Sequence, residues 1–101
     1  MPALWQVVGV EMGIRVNIHP LLHHFTGGEE VAEVSGNTVG ECLDHLVARF
    51  PGLKNGLFEK DGRLRSYVDI YVNRESAYPD QLVKPVRAGD EIYILVMIAG
   101  G

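Results

Sequence analysis

Gly89-Asp90-Glu91-Ile92-Tyr93-Ile94-Leu95-Val96-Met97-Ile98-Ala99-Gly100-Gly101 closes the chain. Turn residues open this stretch, and an unbroken apolar run over residues 92–98 follows, the pattern of a strand that begins directly after a Gly-Asp turn. Alternation sends Ile92, Ile94, Val96 and Ile98 to one face and Tyr93, Leu95 and Met97 to the other. A strand that is apolar on both faces belongs in the middle of a sheet. The rest of the chain holds one substantial helical segment, enough to cover one side of a sheet only. The β-branched set is therefore assigned to the helix side, and Tyr93, Leu95 and Met97 to an open side, where aromatic and Met side chains suit a partner-docking patch, the alternative being that residues 1–11 or 53–66 cover them.

The strand runs into Ala99-Gly100-Gly101 with no polar spacer. Glycines without side chains can thread a narrow channel, and their φ freedom keeps them adaptable until something grips them. Extended, the last three residues reach roughly 10 Å. The sequence thus places the functional expectation on the terminal carboxylate of Gly101, carried into another protein's active site.

Working outward, 101 residues bound a single domain, and 47% hydrophobic with 22% charged residues is the balance of a folded globular chain. Nine Lys plus Arg against 13 Asp plus Glu give a formal net charge of -4, with the cations scattered, which speaks against nucleic acid as a partner. Cys42 is the single cysteine, so no intramolecular disulfide forms and a reducing compartment, the cytoplasm, is expected. No signal-peptide pattern and no apolar stretch near 18 residues occurs, so no membrane partner is expected. Residues 1–12 are apolar and stand apart as an N-terminal extension, either an added edge strand or an alternative start.

Ile14, Val16 and Ile18 alternate with Arg15, Asn17 and His19, predicting a first strand that ends at Pro20. A connection over residues 21–28, with Gly27-Gly28 as its turn, leads to a second strand over residues 29–34 that pairs back on the first. Asn37 or Thr38 is an N-cap candidate, Glu41 sits in capping-box position after Thr38, and Val39, Leu43, Leu46, Val47 and Phe50 form the apolar stripe of the main helix. Pro51-Gly52 stops it, and residues 53–58 are read as a short further turn. Residues 67–72 alternate as a third strand, with Val68, Ile70 and Val72 opposite Tyr67, Asp69 and Tyr71. Residues 73–80 are read as a turn, and residues 81–84 as a short extended piece. The order is β-β-α-β-β with minor additions.

With Phe50-Pro51-Gly52-Leu53 leaving the helix, Ile70-Tyr71-Val72-Asn73, Gly89-Asp90-Glu91-Ile92 and Ile98-Ala99-Gly100-Gly101, the chain resembles the ubiquitin-like sulfur-carrier family. That family includes the small subunit of molybdopterin synthase and the thiamine-pathway sulfur carrier. The resemblance covers residues 13–101, and its Ala-Gly-Gly ending leans toward the molybdopterin-type branch. It implies an α+β ubiquitin-like β-grasp fold over residues 13–98, a mixed sheet packed on one main helix, with residues 99–101 as a tail. It also implies that an E1-like enzyme uses ATP to adenylate Gly101, that a sulfur donor protein supplies sulfur to form a thiocarboxylate, and that an acceptor synthase subunit receives it. Gly101 and Gly100 would be the reacting end, and Ala99, Tyr93, Leu95 and Met97 the partner contacts. The chain itself would bind no cofactor and no metal.

Other residues carry weaker signals. Cys42 lies in the helix stripe, where packing explains a small apolar side chain better than nucleophilic catalysis. His19, His23 and His24 lack the cysteine or acidic company of a metal site. Asp90-Glu91 point to opposite faces as strand neighbours and cannot converge on one substrate. Gly27-Gly28 and Gly52 precede no Lys-Ser/Thr of a phosphate loop. Two readings besides the carrier stand: a protein modifier joined through Gly101 to target lysines, and an interaction domain using its open sheet face. An independent enzyme is disfavoured, because no coherent nucleophile-base pair is visible.

Overall fold

The computed structural model describes residues 13–97. The extension over residues 1–12, Ile98, and the predicted tail residues Ala99, Gly100 and Gly101 lie outside the described residues. Five strands form one mixed sheet in the order β2-β1-β5-β3-β4. They are β1 (Ile14–Ile18), β2 (Val31–Val34), β3 (Val68–Val72), β4 (Glu75–Ser76) and β5 (Glu91–Val96), with α1 (Val39–Arg49) and the short α2 (Leu53–Leu57) between β2 and β3. This is the ubiquitin-like β-grasp arrangement, an α+β fold.

β1 pairs antiparallel with β2, Ile14 opposite Val34 and Val16 opposite Ala32, as the alternating pattern requires. β5 then lies parallel to β1, with Val16 opposite Ile92, and antiparallel to β3, with Ile70 opposite Ile94. The doubly apolar strand is thus the central one. Its β-branched side chains Ile92 and Ile94 join Ile14, Val16, Ile18, Val68, Ile70 and Val72 in one buried layer. Val39, Cys42, Leu43 and Leu46 of α1 cover that layer, and Leu53 and Leu57 of α2 extend it. Val47 and Phe50, predicted for the same stripe, are only partly buried at its margin.

Thr38 caps α1: the Glu41 backbone N–H donates to its Oγ1 at 3.2 Å. Glu41 reaches back to the backbone N–H of Asn37 at 2.7 Å, one residue before the usual capping-box partner. Thr38→Ala is expected to lower unfolding free energy by about 1 kcal/mol through the lost cap, measurable by chemical denaturation. At Gly40 the helix packs against the backbone of residue 82 so closely that a Cβ would stand 2.9 Å from the Leu82 carbonyl oxygen. Gly89, at φ 91°, makes the turn into β5 with a backbone conformation that side chains disfavour.

Four segments differ from the sequence reading. The connection after β1 is a 3-10 helix over Pro20–Phe25, capped by the His19 ring, whose Nδ1 accepts the Leu21 N–H at 3.1 Å. The piece expected to be extended after residue 80 is a 3-10 turn over Gln81–Val83. There the Gln81 side-chain Oε1 accepts the Ile70 N–H at 2.6 Å, a long-range bond that no local pattern announces. Within the expected turn after β3 lies the two-residue β4, with Val72 opposite Glu75. β5 runs to Val96 and leaves out Met97 of the predicted strand, although the Met97 N–H still donates to the Tyr67 carbonyl at 2.7 Å.

Candidate functional site

The helix-free face of the sheet is where the sequence placed Tyr93, Leu95 and Met97. Leu95 is 38% exposed and Met97 56%, beside Tyr67 at 41%. These three side chains form an apolar patch at the end of β5 from which the chain continues toward residues 98–101. The register brings Asp69 of β3 directly opposite Leu95, and Tyr71 opposite Tyr93. Cross-strand partners in an antiparallel pair present their side chains on the same face within touching range, so Asp69 and Tyr71 share the face with Leu95.

Tyr93 sits differently. It is half-buried, and its hydroxyl donates to Glu91 Oε1 at 2.7 Å. Asn17 Nδ2 donates to the same oxygen at 3.3 Å, and Arg15 Nη1 lies 3.7 Å from Glu91 Oε2. The hydroxyl of Tyr93, then Asn17 and Arg15, hold the Glu91 carboxyl below the usual carboxylate range, while the same bond raises the Tyr93 phenol. This network stiffens the open face upstream of the patch. Sequence reasoning placed Tyr93 with the docking residues but missed Glu91, Asn17 and Arg15, since only the parallel register of β1 on β5 brings them together. It also left Tyr67 and Asp69 out of the patch, though their alternation with Val68 and Ile70 carried the signal.

Asp90 is a turn residue, as expected. It accepts the Arg87 N–H at 3.0 Å and the Asn73 Nδ2 at 3.3 Å. Cys42 is fully buried, and burial, helped by the neighbouring Glu41 charge, pushes its thiol up to about 11, so it stays protonated and packs as an apolar group. His23 Nε2 donates to the Ile18 carbonyl at 2.8 Å, and His19 caps the 3-10 helix. Among the described residues no group of three His, Cys, Asp or Glu is placed to hold a metal ion, and no helix is long and apolar enough to cross a membrane. An open cleft of about 560 Å³ lined by Asn73, Arg74, Lys84, Arg87 and Asp90 lies at the opposite end of β5, away from the patch.

A mixed five-stranded sheet on one helix, with an apolar patch beside the exit of its central strand, defines a small protein of the ubiquitin-like carrier and modifier class. The ThiS family profile matches residues 21–101, and the chain belongs to the ThiS family. It is 33% identical over 93 residues to the sulfur carrier protein CysO of Mycobacterium tuberculosis, covering 89% of this chain and 100% of that protein. It is 32% identical over 83 residues to small archaeal modifier protein 1 of Haloferax volcanii, covering 71% of this chain and 92% of that protein. Superposition on a chain of the crystal structure of the Amycolatopsis orientalis BexX/CysO complex gives a TM-score of 0.79 at 35% identity, covering 87% of this chain and 99% of that one. These relatives are carrier and modifier proteins, and one of them is seen in complex with another protein.

Proposed function

We propose that this chain is a sulfur carrier that works through the carboxylate of Gly101. A terminal carboxylate with a pKa near 3.3 to 3.7 is ionised at neutral pH and is a poor electrophile. An E1-like enzyme overcomes this with ATP: a carboxylate oxygen attacks the α-phosphorus, pyrophosphate leaves, and Gly101 becomes an acyl adenylate. Sulfide delivered by a donor protein then attacks the acyl carbon, its proton is lost to solvent, AMP departs with the electron pair of the broken C–O bond, and a thiocarboxylate remains for an acceptor synthase subunit in molybdopterin-type or other sulfur-metabolite biosynthesis. Gly100 and Ala99 run through the enzyme's channel, and Leu95 and Met97, with Tyr93 behind them, seat the domain on its partners. ATP belongs to the activating enzyme, and this chain brings no cofactor of its own.

The observation that carries the reading is positional. β5 is the central strand, gripped by β1 and β3, and it leads toward the glycines directly beside the exposed Leu95 and Met97. A partner seated on that patch meets the following residues from a rigid base. The family membership and the likeness to CysO support sulfur as the cargo. A single cysteine, which can form no intramolecular disulfide, suits a cytoplasmic protein. The test is whether activation with ATP and a sulfur source places sulfur on Gly101, read by intact mass.

A second reading rests on the likeness to small archaeal modifier protein 1. The same adenylate can be taken by a lysine amine of a target, giving an isopeptide bond through Gly101. Both reactions share the tail and the activation step, and lysine conjugates in cells separate them.

A further inference from the structure

On the open face of the sheet a carboxylate stands among apolar neighbours. Asp69 lies directly opposite Leu95, with Tyr67 and Tyr71 two residues to either side along the same strand and Met97 on the diagonal. It is half-buried, and among the described residues no ion pair engages it. The other carboxylate beside β5 on this face, Glu91, already holds Tyr93, Asn17 and Arg15. In the free domain water solvates Asp69. A partner that covers Leu95, Met97 and Tyr67 must also cover Asp69 and strip that water, and a buried charge without a counter-charge works against the apolar contact around it. A partner of purely apolar surface is therefore rejected here, and one that brings a cation is selected.

We propose that Asp69 is the specificity-determining charge of the docking face, and that the enzyme activating Gly101 places an arginine guanidinium against it. A guanidinium suits the site better than an ammonium. It can take the carboxylate with two parallel N–H donors, and it can lie flat against Tyr67 or Tyr71. Asp69 is a docking residue and takes no part in the chemistry at Gly101. The inference rests on the activation of Gly101 proposed above.

The experiment uses the full chain and its cognate adenylating enzyme, following ATP-dependent pyrophosphate release against carrier concentration at several salt concentrations. Asp69→Asn is expected to raise KM at least about 10-fold with kcat unchanged, to flatten the salt dependence of KM, and to leave the melting temperature of the domain where it was. Asp69→Glu should recover the salt dependence, because the charge and not the shape selects the partner. Equal KM and equal salt dependence for wild type and Asp69→Asn overturn the inference while the carrier reading stands. Self-association in sedimentation that Asp69→Asn abolishes also overturns it, since a second copy would then occupy the face. No pyrophosphate release from the wild-type chain removes the carrier reading and this inference with it.

Discussion

Gly100→Val leaves the thermal unfolding of the domain unchanged and lowers ATP-dependent activation of Gly101 by at least about 100-fold, the scale set by displacing a reacting group by a fraction of its contact distance. Among the described residues the buried core lies between Ile14 and Ile94, with Val96 packed against it, all upstream of the substitution. A β-branched side chain next to the reacting residue narrows the backbone conformations available and adds bulk where a channel must close around the chain. Deleting Gly101 should have the same effect by withdrawing the carboxylate from reach. Pyrophosphate release in the presence of the activating enzyme measures the loss, and a melting curve supplies the control. Normal activation of Gly100→Val would mean that the tail is not threaded.

Ile94→Ala should have the opposite profile, a large loss of stability that precedes any effect on partners. Ile94 is 1% exposed, opposite Ile18 on one side and Ile70 on the other, at the centre of the sheet. Removing three buried carbons there costs about 2–5 kcal/mol, the transfer term plus the cavity left by neighbours that cannot close in. For a domain of this size each kcal/mol lowers Tm by about 4–8 °C, so a drop of more than about 10 °C is expected. Leu95→Ala, one residue along the same strand, should change stability by no more than about 0.5 kcal/mol, because its side chain stands 38% exposed on the open face. The contrast between neighbours checks the face assignment directly. Similar losses at both positions would show that the open face is covered by the chain itself.

The main elements were legible because their signals are local. Alternation in β1, β3 and β5 fixes which side chains face the helix, and Thr38 with Glu41 marks the start of α1 through a hydrogen bond within one turn. The central place of β5 followed from its two apolar faces. What stayed hidden depends on contacts between distant residues. The turn at Gln81–Val83 is held by the Gln81 side chain on the Ile70 backbone, and two-residue β4 is too short to show a period. The 3-10 helix at Pro20–Phe25 lacks the 3.6-residue stripe by which helices are recognised.

The same division runs through the candidate site. Leu95 and Met97 were readable from one strand alone. Tyr93 was read as a docking side chain, whereas its hydroxyl is committed to Glu91, and that bond comes from strand register with Asn17 and Arg15 of β1 completing it. Alternation along β3 already put Asp69 on the open face, and the antiparallel register then placed it across from Leu95. Register is set by the whole sheet, so it is the level at which a single sequence is least informative.

The central claim is that Gly101 carries sulfur, and intact mass is its most direct measurement. The full chain is incubated with its cognate adenylating enzyme, ATP and a sulfide source, then weighed. Exchange of one carboxylate oxygen for sulfur adds about 16 Da, and the account predicts that this gain requires ATP and disappears when Gly101 is deleted. An unchanged mass with an enzyme that is active on the chain would contradict it.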